Sequence, residues 1–104
     1  MVPVIEEKRS ELASLCENFH VLRLDLFGSA ASGEDFDPKA SDFDFLVEFL
    51  PGQDLGPWLK HYFAFEEELR KLFGRPIDLV MASAARNPYF VREVERTRKL
   101  LYAS

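Results

Sequence analysis

Asp42 and Asp44, in Ser41-Asp42-Phe43-Asp44, open a stretch that alternates in the manner of a β-strand. Strand side chains two apart share a face. The two carboxylates therefore project together, while Phe43, Phe45, Val47 and Phe49 project from the opposite face. Like charges side by side repel, and a divalent cation held between them removes that cost. Hard oxygen ligands of this kind suit Mg²⁺. A third carboxylate, Asp78, lies in Pro76-Ile77-Asp78-Leu79-Val80, otherwise an apolar strand. If that strand neighbours the first, all three carboxylates converge. Upstream, Leu26-Phe27-Gly28-Ser29 ends another strand in a Gly-Ser turn. Gly28 allows close backbone approach, Ser29 offers a hydroxyl and an N–H, and a helix starting there favours negative charge. A Gly-Ser turn alone commonly caps a helix, and one strand aspartate is commonly just solvated. Three carboxylates around one or two Mg²⁺ beside an anion-binding turn are the apparatus of phosphoryl or nucleotidyl transfer.

The elements that must position these residues follow from periodicity. Ile5, Leu12, Leu15, Cys16 and Phe19 predict a helix over 4–18. Asn18 and His20 mark its end. Val21 to Phe27 reads as a strand with Leu22, Leu24 and Leu26 on one face. Ser29-Ala30-Ala31-Ser32 reads as the first turn of a helix, and Gly33 to Lys39 as a loop broken by Pro38. A strand over 41–50 stops at Pro51-Gly52. A helix follows over about 55–73, its apolar face supplied by Leu55, Leu59, Tyr62, Phe63, Leu69, Leu72 and Phe73, with Gly74 as C-cap. Trp58, Tyr62 and Phe65 are candidates for either the core or a partner surface, with the core favoured for Trp58 and Tyr62, and His61 is assigned to the surface or its boundary. Ile77 to Met81 is a short strand. Asn87-Pro88 opens a last helix over about 88–101, with Phe90, Val91, Val94, Leu100 and Leu101 facing inward. The order α-β-α-β-α-β-α implies an α/β fold, a small mixed sheet flanked by helices.

Composition narrows the function. The 104 residues make one domain, 1–104, and 47% hydrophobic content excludes intrinsic disorder. Ten phenylalanines are many for a small domain, which favours some exposed aromatic surface and a partner interface. The net charge of −5 argues against direct nucleic-acid binding, which normally shows a basic stripe. The one basic concentration, Arg86 to Lys99, is interrupted by Glu93 and Glu95 and reads as a solvated helix face. Cys16 is the sole cysteine, so no intramolecular disulfide forms, and it reads as a buried thiol. No apolar run approaches membrane-spanning length and no signal segment starts the chain, which makes the cytoplasm the expected compartment.

Gly28-Ser29, then Ser41-Asp42-Phe43-Asp44, then Asp78 on a later strand resembles the nucleotidyltransferase superfamily that includes DNA polymerase beta. The short length and the whole pattern are most similar to its minimal nucleotidyltransferase family, whose members are typically encoded beside a HEPN-domain protein and in some cases act as antitoxins. The resemblance spans nearly the whole chain and implies the polymerase-beta-like fold. It implies that Asp42, Asp44 and Asp78 are catalytic and hold two Mg²⁺ ions, and that Gly28, Ser29 and Ser41 bind the nucleotide. It further implies AMP transfer from ATP to a hydroxyl, a tyrosine's, on a HEPN-type toxin. One departure stands out. Many members carry Gly-Ser-x-Ala-Arg-Gly, and here Ser32 stands at the Arg position. Arg is the favoured bidentate phosphate partner. This departure, with the Phe-rich composition, supports the alternative that the chain is a weakly active or inactive binding module that neutralises its partner by complex formation. Acceptor identity, base preference and oligomeric state are open at this point.

Overall fold

The computed structural model describes residues 3–33, 42–52, 56–84 and 86–104. Two helices, α1 (Pro3–Glu7) and α2 (Arg9–Asn18), lead into β1 (Val21–Phe27) and the single turn α3 (Ser29–Ser32). Then come β2 (Phe43–Phe49), α4 (Trp58–Phe73), β3 (Ile77–Met81), a 3₁₀ turn (Ala82–Ala84), α5 (Pro88–Thr97) and β4 (Lys99–Ala103). The four strands form one mixed sheet in the order β3-β2-β1-β4.

Topology brings distant residues to one corner. β1 and β2 are antiparallel, so the end of β1 lies beside the start of β2, with Phe27 opposite Asp44. β2 and β3 are parallel, joined by the α4 crossover that parallel strands require. The start of β3 therefore lies on the other side of the start of β2, with Asp78 in register with Asp44.

One sheet face carries the main core. Leu24, Leu26, Phe43, Phe45, Val47, Ile77 and Leu79 pack there against Ile5, Leu12, Cys16, Phe65 and Leu69 from the helices. Phe43 and Phe45 are fully buried and meet Phe73 at ring-centroid distances of 5.4 and 5.8 Å. Burial of each contributes about 1.5–3 kcal/mol, which anchors the strand whose other face carries the aspartates. The second face is smaller: Phe27, Leu46 and Val94 pack with Val80, Ala82 and Phe90 beneath α5. Asn87 caps α5, its side chain accepting the Tyr89 N–H at 2.9 Å, with Pro88 at the first helical position.

The structure corrects several expectations. The first helix is two, broken at Lys8. Leu22 does not join Leu24 and Leu26. A register shift between Val21 and Arg23 puts Val21 in the core instead, and Leu22 is half-buried. On α4 the fully buried side chains are Phe65 and Leu69, with Phe73 nearly so, whereas Trp58, Leu59 and Phe63 remain 42%, 63% and 56% exposed. Trp58 is therefore not a core residue. Leu55 lies outside the described residues, as does the loop expected from Gly33 to Lys39 beyond its first residue.

The largest difference is at the C-terminal end. The expected helix over 88–101 stops at Thr97, and Lys99–Ala103 is a fourth strand pairing with β1. Arg98 leaves the helix with φ −59° and ψ 137°, Leu101 is buried, and Leu100 is 47% exposed rather than inward. A short apolar run such as Leu100-Leu101-Tyr102 fits a strand as well as a helix. What decides is tertiary: β4 covers the open edge of β1. No described helix is long and apolar enough to cross a membrane.

Candidate active site

Gly28 stands at the centre of the corner that the topology builds. Its backbone, φ 74° and ψ −154°, is one that L side chains rarely adopt. A Cβ at this position would lie 2.5 Å from Asp44 Oδ2. Glycine is therefore what lets the Asp44 carboxylate rest against the turn. Beyond it, Ser29 opens α3, where Ala31 and Ser32 donate to the Gly28 carbonyl at 3.2 and 3.1 Å. The Gly28 N–H itself is donated to Thr97 Oγ1 at 2.9 Å. Gly28 thus offers an absent side chain, its own N–H being taken by Thr97.

Asp44 is half-buried, and Asp42 and Asp78 are exposed on either side of it. Its carboxyl is pushed up to about 6, first by burial and then by the charges of Asp78 and Asp42. The cluster is thus a concentration of negative charge, partly withdrawn from water. Among the described residues no Lys or Arg forms an ion pair with any of the three. Nor do three His, Cys, Asp or Glu side chains among them form a ready-made metal cage. The donor set is nevertheless all carboxylate oxygen, the chemistry that a hard divalent cation takes, with substrate oxygens and water completing its shell. A cation there would favour the charged form of Asp44 and offset the repulsion.

Asp42, Asp44, Asp78, Gly28 and Ser29 thus meet at one corner of the sheet. Ser41 lies outside the described residues, and Ser32 ends α3 with its side chain exposed. β3 is held from the far face by the Tyr62 hydroxyl, which donates to the Leu79 carbonyl next to Asp78. Two neighbouring features escaped the sequence reading. One is Thr97. The other is Asp25, fully buried on β1 and bound by Arg98 through Nε (2.7 Å) and Nη2, and by Arg23 Nε at 3.1 Å. The available signal was Arg23 and Asp25 alternating with leucines in an apolar strand.

Residues 9–101 match the family model described as the nucleotidyltransferase domain. The chain belongs to the nucleotidyltransferase family. The matched span contains the Gly-Ser turn and all three aspartates. "Putative protein adenylyltransferase MJ0128" of Methanocaldococcus jannaschii is 38% identical over 81 residues, which are 78% of this chain and 76% of that protein. A solved structure described as a "putative minimal nucleotidyltransferase" is 28% identical with a TM-score of 0.70, covering 91% of this chain and 90% of that one. The fold is also shared with the structure of a tri-AMPylated Shewanella oneidensis HEPN toxin in complex with its MNT antitoxin. That match has 17% identity and a TM-score of 0.63, covering 96% of this chain and 73% of that one. The nucleotidyltransferase here is accordingly of the minimal, polymerase-beta-like kind.

Proposed function

We propose that this chain is a Mg²⁺-dependent protein adenylyltransferase that moves AMP from ATP to a tyrosine hydroxyl of a HEPN-type toxin and so acts as its antitoxin in the cytoplasm. The observation that carries the proposal is Asp44, flanked by Asp42 and Asp78, with its carboxylate against the side-chain-free Gly28 turn. The similarity to a named adenylyltransferase and the fold shared with an antitoxin bound to an AMPylated toxin support the choice of donor and partner.

In this reading Asp42, Asp44 and Asp78 hold two Mg²⁺ ions. When bound, the metal supplies charge neutralisation for the triphosphate and for the oxygens that attack and leave. Ser29, with Ser41, receives the β- and γ-phosphates, and Gly28 keeps that approach open. The acceptor oxygen forms a bond to the α-phosphorus, the bond from that phosphorus to the bridging oxygen breaks, and pyrophosphate leaves. The acceptor proton passes to Asp78, which is exposed at the strand edge and so within reach of a docked partner.

Exposed Trp58, Leu59 and Phe63, with Ser32 in place of the arginine, favour a second reading in which neutralisation is by complex formation alone. Incubating the protein with Mg²⁺, ATP and its HEPN-type partner, then weighing the partner by mass spectrometry, separates the two. The expected result is a mass gain of one or more AMP units, abolished by Asp42→Ala or Asp78→Ala with the fold intact. A stable complex with no mass gain, and inhibition unchanged in those variants, would establish the second reading.

A further inference from the structure

Thr97 and Asp25 are the two buried polar side chains among the described residues. Asp25 is accounted for by its guanidinium partners, but Thr97 is not needed to neutralise anything. Its hydroxyl, in the last turn of α5, donates to the Glu93 carbonyl at 2.8 Å and accepts the Gly28 N–H at 2.9 Å. With its proton committed to Glu93, a lone pair is left aimed at Gly28.

Gly28 needs such an anchor. The pairing of β1 with β2 ends at Phe27, and that with β4 at Leu26, so Gly28 lies beyond both ladders. A glycine at φ 74° is also the residue with the most alternative conformations to hand. Its one donor to the folded interior is the N–H that Thr97 takes. The residue after Thr97 fixes the joint in depth, because Arg98 is bound to buried Asp25 two positions before Phe27.

We propose that Thr97 is a positioning residue for nucleotide transfer. Its hydroxyl holds the Gly28 peptide so that the Ser29 N–H and the Asp44 carboxylate face the same triphosphate. The proposal rests on the function given above. It assigns to α5, which carries none of the three aspartates, control over the phosphate side of the site. A loosened turn weakens the substrate and the transition state alike, because the β- and γ-phosphates are held in both. The loss then falls on KM for ATP rather than on kcat.

The test compares the full chain with Thr97→Val, which keeps the shape and removes the hydroxyl, and Thr97→Ser, which restores it. Amide hydrogen exchange by NMR reads the turn directly, and AMP transfer to the partner reads KM and kcat. In Thr97→Val the Gly28 amide exchanges about tenfold faster while Leu24 in the core is unchanged, and KM for ATP rises about tenfold with little change in kcat. Thr97→Ser returns both to near the starting values. Unchanged exchange at Gly28, a loss shared equally by Leu24, or failure of Thr97→Ser to restore KM would each overturn the positioning role. If the unsubstituted chain transfers no AMP, the proposed function fails first and this role with it. That failure is seen before any variant is compared, and the exchange data still report whether Thr97 holds the turn.

Discussion

Asp25 and Asp44 lie on neighbouring strands and on the same face of one sheet, yet the protein treats them in opposite ways. Asp25 is fully buried, and both its oxygens are taken by guanidinium groups, Arg98 on one and Arg23 on the other. Asp44 is half-buried, has carboxylates for neighbours, and is pushed up to about 6. A carboxylate neutralised from within the chain is structural: it pins β1 to the start of β4. A carboxylate crowded by its own kind, with no ion-pair partner among the described residues, is open to a cation from outside. That contrast separates the acidic residue that builds this fold from those to which the proposed function gives a task.

The contrast can be broken first at Arg98. Arg98→Leu leaves Asp25 buried with only the half-exposed Arg23 beside it, and is expected to cost about 3–5 kcal/mol in chemical unfolding. The paired change Asp25→Leu with Arg98→Leu recovers most of that loss, because the pair is then replaced by apolar contacts. Should the single and double variants be equally unstable, Asp25 would not be the reason for the joint.

Gly28→Ala presses on the other aspartate. The new methyl meets Asp44 Oδ2 at a distance that real Cβ atoms do not tolerate, in a backbone conformation costly for alanine. We expect a loss of about 1–3 kcal/mol in stability and a larger fall in AMP transfer, with the Asp25 pair untouched. Activity that survives intact would mean that the Gly28–Asp44 contact is incidental.

The smallest effect concerns Asp44 itself. The folded protein retains its Asp44 proton up to about pH 6, whereas the unfolded chain releases it near 3.8. Stability therefore falls as pH rises through that window, and the penalty is complete above about 6. Asp44→Asn removes it, so without metal the variant should melt above the unsubstituted protein at pH 8, by less than about 1 kcal/mol for a half-exposed, screened group. The difference should close toward pH 4. A variant less stable at pH 8 would show that Asp44 is held by a partner, as Asp25 is.

Much of this corner was legible in the chain. Gly28-Ser29 and the alternation Asp42-Phe43-Asp44-Phe45 are local signals, and Ile77 to Met81 carried its own strand pattern. The convergence of Asp78 with Asp44 needed only that two strands joined by one helix lie parallel. What escaped depends on contacts between distant segments. Lys99–Ala103 has no periodicity that distinguishes a strand from the end of a helix, and only pairing with β1 settles it. Thr97 looks like an ordinary helix residue until Gly28, 69 positions earlier, is brought to it. On α4, Leu59 and Phe63 occupy positions as apolar as Phe65 and Leu69, and only packing against the sheet and the N-terminal helices selects which pair is buried.

The central claim is that the Asp42, Asp44 and Asp78 cluster is completed by a divalent cation and a nucleoside triphosphate. Calorimetric titration of a non-hydrolysable ATP analogue, with Mg²⁺ and again with a chelator, tests it most directly. The account predicts binding that needs Mg²⁺ and is lost in Asp44→Asn and Asp78→Asn, although both variants remain folded. Binding of equal strength in the chelator, or retained in both variants, would contradict it.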